Sequence, residues 1–246
     1  MSSDDPLSPL AALSGVAEAV DATRAAMDGL LREPALRRRR GEVRAAARVH
    51  SAWASARLAG SDIRFESFEP PFPDDHSGRL AEASLRAASE VGAVADAWGR
   101  APLQALARLH AVAAVGIADD SRLGRPRDGV GVSERLTTLA EVVSNTEASG
   151  VIVSAVVHAE LMNLRPFGTV DDIVARASSR VVLVRRGVDP DAITVPEMGL
   201  IDLGEDAYRV ALEGFASGAA EGLAHWITFH AAAVQRGAAF ARTLCQ

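Results

Sequence analysis

The 246-residue chain contains no lysine; all 26 of its basic side chains are arginines. This absence removes the P-loop lysine, Schiff-base and pyridoxal-phosphate attachment, and serine–lysine dyads. It also points, by association only, to a GC-rich bacterial genome. Cysteine occurs once, at Cys245, so a disulfide framework is excluded and a reducing compartment is the default. Aromatic residues make up 4 % of the chain. The core must therefore be built from Ala, Val, Leu and Ile, and the alanine bias favours helix. Long hydrophobic runs are missing too. The most apolar stretch, Val151 to Leu164, is too short to span a bilayer and contains His158 and Glu160. The start, Met1 to Leu10, is polar and acidic and does not read as a signal peptide. The expectation is a cytoplasmic protein without a membrane segment. A net charge of -6 disfavours a nucleic-acid surface. The run Arg37 to Arg40 is a local exception. It reads as a solvated helix end or turn, with a phosphate or partner contact as the alternative.

What is present is helical periodicity. Leu10, Leu13, Val16, Val20, Met27 and Leu31 recur at helical spacing and predict a helix over 10–31. A second is predicted over 42–58, ended by Gly60. Ile63 to Gly78 carries three prolines and reads as a loop. Helices follow over 80–98 and 102–117, the latter with Pro102 in its first turn. Residues 119–132, punctuated by Gly124, Pro126, Gly129 and Gly131, predict a loop or a short β-hairpin. A short helix is expected over 133–144. Residues 149–163 are apolar on nearly every face, the mark of a buried central helix. After a turn at 166–169, another apolar helix is predicted over 170–186. Residues 195–204 read as a loop, and helices over 205–218 and 220–244 complete the chain. The fold class is all-α, with the 149–187 helix hairpin as its centre. The expected division is an N-terminal helical extension, 1–40, and a helical domain, 41–246.

Most chemical motifs fail. Gly129-Val130-Gly131 is not a dinucleotide fingerprint, and no Gly-x-Ser-x-Gly elbow occurs. The six histidines have no zinc-ligand spacing, and His225 and His230 point off different helix faces. Each is expected to be buried or half-buried and structural, with no metal site.

One segment carries a partial motif: Arg165-Pro166-Phe167-Gly168-Thr169-Val170-Asp171-Asp172-Ile173-Val174-Ala175-Arg176, preceded by Leu164. It resembles the Fic (Fido) family, whose motif reads His-Pro-Phe-x-Asp/Glu-Gly-Asn-Gly-Arg-x-x-Arg between two core helices and whose usual activity is transfer of AMP from ATP to a protein hydroxyl. Other landmarks fall in order over roughly residues 40–240. Leu109-His110 resembles the pair before the target-docking flap, and 122–135 would be that flap. Trp226 to Phe229 looks like the closing Trp-x-x-Phe helix. Ser55 to Gly60 resembles the inhibitory Ser-x-x-x-Glu-Gly motif, with Ala59 in place of the glutamate.

The departures decide what the resemblance implies. The family's histidine is the general base, and Arg165 cannot accept a proton near neutral pH. Thr169 stands at the magnesium-binding acidic position, where a hydroxyl is a poor substitute for carboxylate. Val170, Asp171 and Asp172 replace the Gly-Asn-Gly phosphate cradle, and Thr169 with Asp172 reads as a capping box that would occupy the helix-start amides. Ile173 replaces one phosphate-binding arginine, and Arg176 survives.

Asp172, Arg176 and Arg180 also read as an i, i+4, i+8 ion-pair ladder, and Phe167 as a core plug. Arg165 is a solvated turn residue or an anion contact. No residue of the degenerate motif Arg165, Pro166, Phe167, Thr169, Asp171 and Asp172 is assigned catalysis. Arg165, Asp171, Arg176 and Arg180 are the ligand-binding candidates, and Ser55, Ala59 and Gly60 the inhibitory remnant. The expectation is a degenerate Fic-fold binding or regulatory module without cofactor. The alternative is a divergent transferase using ATP and magnesium, with Asp171 or Asp172 as base or metal ligand. An unknown protein partner and homodimerisation are compatible with either, and nucleic acid is disfavoured.

Overall fold

The computed structural model describes residues 5–246, which form eleven α-helices and, among the described residues, no strand. The helices are α1 Ser8–Ala11, α2 Val16–Leu31, α3 Leu36–Leu58, α4 His76–Trp98, α5 Pro102–Ala113, α6 Val132–Asn145, α7 Gly150–Leu164, α8 Asp171–Arg185, α9 Pro196–Leu203, α10 Glu205–Ala216 and α11 Ala220–Thr243.

The centre is the α7–α8 hairpin. Twelve of the fifteen residues in each helix are buried, and α2 to α6, α10 and α11 each pack on one or other of the pair. α4 and α3 cover α8, while α11 and α10 cover α7. The side chain of Ser149 caps the start of α7, and the Trp226 indole on α11 donates to the Ala155 carbonyl at 2.8 Å. The interior is not purely apolar. Ser154 bonds Ser179 and His230, and His158 bonds the Tyr208 hydroxyl at 2.8 Å. Burial pushes His230 down to about 3 and His158 well below the usual histidine value, so both rings are neutral.

Three expectations are corrected and one stated pair of alternatives is decided. The helix predicted over 10–31 is broken at Gly15, whose φ of 75° stops α1 and starts α2. Residues 119–132 form no β-hairpin; a short 3-10 turn at Asp120–Arg122 leads into an irregular loop. Residues 196–203, read as a loop, are helix α9. Pro196 occupies its first turn, and Gly199 lets it lie backbone to backbone against Ala233 of α11. Among the histidines, His76 and His225 are exposed rather than buried or half-buried.

α3 is kinked at Arg39, whose non-helical φ of -118° and ψ of 20° join two helical pieces, and α2 packs along α11. No helix among the described residues is long and apolar enough to cross a membrane.

Candidate functional site

The 165–171 loop joins the two central helices. α7 ends where Arg165 turns into the left-handed region, φ 47°, and Pro166 cannot continue a helix. The carbonyls left at that end are taken by Arg127 from the 119–131 loop. Its Nε donates to Arg165 O at 2.8 Å, its Nη2 to Leu164 O at 3.1 Å, and its backbone N–H to Pro166 O at 2.7 Å. The region resembling a flap is thereby pinned to the loop.

Phe167 turns inward and is buried, as the reading of a core plug expects. Its ring stacks on His110 of α5 with centroids 4.0 Å apart and planes 4° apart. The Gly124 backbone N–H donates to His110 Nδ1 at 3.0 Å. Nδ1 is therefore the acceptor, and the neutral ring carries its hydrogen on Nε2, which donates to Thr169 Oγ1 at 3.1 Å. Burial pushes His110 down to about 4.

Asp171, the first residue of α8, is buried, and its carboxylate reaches back into the loop. Oδ1 accepts the Phe167 N–H at 2.8 Å and Oδ2 the Gly168 N–H at 2.7 Å. Burial raises its pKa, against the two amides and the Arg165 charge.

The expected capping box does not form. No side chain caps α8, and the amides of Asp171, Asp172 and Ile173 donate no hydrogen bond within the described residues. The physical reason is the start point. The helix begins at Asp171, after Val170 in the left-handed region, so Thr169 faces His110 and Asp171 faces the preceding turn.

Farther along α8, Asp172 pairs with Arg176 at 2.9 Å, as the ladder predicts. Arg176 is buried and donates to the hydroxyl and carbonyl of Ser55 at 3.0 and 2.9 Å. The ladder stops there. Arg180 turns to α3 and the 189–195 segment, donating to Ser51 Oγ, Ala192 O and Thr194 O. Of the ligand-binding candidates, then, Arg165 is exposed and its guanidinium has no partner among the described residues, whereas Asp171, Arg176 and Arg180 are buried and engaged. Ser55 is joined to the site through Arg176. Ala59 is half-buried, and Gly60 ends α3 at φ 104°.

Sequence reasoning missed Arg127 and the double role of His110. The Leu109-His110 landmark marked the second, and nothing in the local pattern marked the first. Beside the loop an apolar cleft of about 190 Å³ is lined by Leu103, Leu106, Pro126, Leu136 and Phe167.

The residues present do not fit magnesium-bound ATP. The position that the motif resemblance gives to an acidic metal ligand holds the Thr169 hydroxyl, already used by His110, and the one it gives to the first arginine holds the buried Ile173. Among the described residues, no group of three or more His, Cys, Asp or Glu side chains could hold a metal ion.

No protein-family model matches the chain, and no curated protein matches it. Solved structures do. A Fic family protein from Desulfovibrio desulfuricans G20 superposes with a TM-score of 0.74 at 18% identity, over 92% of this chain and 74% of that one. A fragment of Fic-1 from C. elegans superposes with a TM-score of 0.65 at 14% identity, over 92% and 72% respectively. The all-α chain wound around the α7–α8 hairpin has the Fic fold.

Proposed function

We propose that this chain is a Fic-fold binding or regulatory module of the bacterial cytoplasm that does not transfer AMP. The observation that carries the reading is the state of the titratable groups at the 165–171 loop. Arg165 occupies the histidine position and has no proton acceptor. Of the titratable groups at the loop and the first turn of α8, His110 and Asp171 have their ring nitrogens and carboxylate oxygens engaged in holding the loop, and Asp172 is paired with Arg176. A base must reach the proton it removes, and each candidate here already has a partner within the protein. Such a module acts through a protein partner or a second copy of itself.

Label transfer from ATP to proteins of a bacterial lysate tests the proposal. The purified chain should label nothing above background. An AMP adduct that vanishes on Asp171→Ala would refute it.

One observation favours a second reading, a divergent transferase or anion binder. The uncapped amides of Asp171, Asp172 and Ile173 point out of a helix N-terminus beside the exposed Arg165. Melting curves against a panel of nucleotides and phosphorylated metabolites separate the two. Flat curves support the binding module, and a saturable rise in melting temperature that is lost on Arg165→Ala supports the transferase.

A further inference from the structure

A second concave site lies away from the motif loop. A cleft of about 350 Å³ opens between α3, α4 and the 189–195 segment, lined by Arg44, Ala45 and Arg48 on one side and Ser89 and Gly92 on the other, with Arg180 at its inner wall. Arg180 is nine residues along α8 from Asp171, about 13 Å at 1.5 Å per residue. The two sites are therefore separate.

Three features single this cleft out. Its charge is one-sided. The neighbouring Arg39 and Arg40 pair with Glu42 and Asp191, whereas Arg44 and Arg48 have no carboxylate within ion-pair distance among the described residues. The wall behind them is a buried guanidinium. Arg180 is 3 % exposed, and its Nε N–H has no hydrogen-bond partner among the described residues although its Nη atoms donate to Ser51, Ala192 and Thr194. Of the buried acids near it, Asp189 gives both carboxylate oxygens to the backbone N–H groups of Ile193 and Thr194, and Glu197 faces a separate small cavity shared with Arg180, Ser51, Ser55 and Ser84 and does not line the cleft. Finally, the Arg44 guanidinium reaches across the cleft to α4 at Gly92. Gly92 sits in the interior of a 23-residue helix, where glycine costs about 0.5–1 kcal/mol relative to alanine. A Cβ there would stand 2.7 Å from Arg44 Nη2, so glycine leaves room for that guanidinium to lie against the helix.

We infer that this cleft binds a small anion bearing one or two phosphate groups, held by the Arg44 and Arg48 guanidinium forks. Planar arginine forks suit phosphate oxygens through paired N–H···O bonds. The volume falls at the small end of the range for small-molecule sites. A long polyanion is disfavoured, because the chain as a whole carries a net charge of -6 and would repel what lies beyond the cleft.

The test is calorimetric titration of the full chain with inorganic pyrophosphate at low and high salt. Saturable one-site binding that weakens with salt is expected. Arg44→Ala/Arg48→Ala should weaken it by about tenfold or more for each arginine removed. Ala45→Glu, which places a carboxylate in the cleft from an exposed position, should abolish it. Arg37→Ala/Arg38→Ala, outside the cleft, should leave it unchanged. No saturation with pyrophosphate would overturn the inference, as would binding that survives both cleft variants or equal loss in the Arg37→Ala/Arg38→Ala control. Tighter, arginine-dependent binding of a single-stranded oligonucleotide would overturn it in favour of nucleic acid.

Discussion

Asp171 shows how a residue can look like a site and act as a strut. Its two oxygens hold the Phe167 and Gly168 amides, closing the loop that Phe167 plugs. Asp171→Ala should lower stability by about 2 kcal/mol in urea denaturation, because it leaves two loop donors unpaired, and Asp171→Asn, which keeps one acceptor, should cost less. An unchanged urea midpoint in the alanine variant would contradict the strut. Val170 is the other unusual residue. A β-branched side chain at φ 46° is strained, by about 1–2 kcal/mol. Val170→Gly should hold or raise the melting temperature, whereas Val174→Gly, inside α8, should lower it by several degrees. At this scale the sequence was partly legible. Phe167 was recognisable as a plug and Asp172–Arg176 as a pair. The role of Asp171 was not, because a capping pattern through Thr169 assumes a helix start one residue earlier. A turn held by tertiary contact with His110 leaves no local mark.

At the scale of elements, arginine forks close helix ends. Arg86 donates to the carbonyls of Val112, Ala113 and Val115 at the end of α5, Arg186 to Val143 and Thr146 at the end of α6, and Arg127 to Leu164 and Arg165 at the end of α7. Each places a cation where the helix dipole and its unpaired carbonyls favour one. Arg86→Ala should therefore cost about 1–3 kcal/mol, and Arg86→Lys should not restore it, since an ammonium cannot span three carbonyls as a fork does. Arg127→Ala should speed amide hydrogen exchange across 119–131 while sparing α7. Protection that is unaltered there would mean another contact holds the loop. Helices with one apolar stripe, and the all-round apolar α7, were readable from periodicity alone. α9 was not. Its proline and glycine look like loop punctuation, and only the close approach to α11 gives Gly199 its reason.

At the scale of the whole molecule, three neutral histidines sit inside a helical core. Burial lowers the pKa of His110, His158 and His230 below the ordinary histidine value. A folded-state pKa below the unfolded one gives stability that is present above the unfolded value and lost as pH falls toward the folded one. Stability should therefore be level above about pH 7 and decline below about pH 6.5, by at most about 1.4 kcal/mol per pH unit for each histidine. Asp171 and Asp189, whose pKa values burial raises, act in the opposite sense and temper the loss at the acid end. Urea midpoints between pH 5 and 8 measure this, and a level profile down to pH 5 would contradict it.

The same chemistry bears on function, because the proposed absence of AMP transfer rests on Arg165 having no proton acceptor and on His110, Asp171 and Asp172 each being held by a partner in the structure. The pH titration of the His110 ring by nitrogen-detected NMR tests this most directly. The expected result is a neutral ring with its hydrogen on Nε2 and a midpoint at about 4. A midpoint near the ordinary histidine value, about 6.5, or a ring hydrogen on Nδ1, would contradict it.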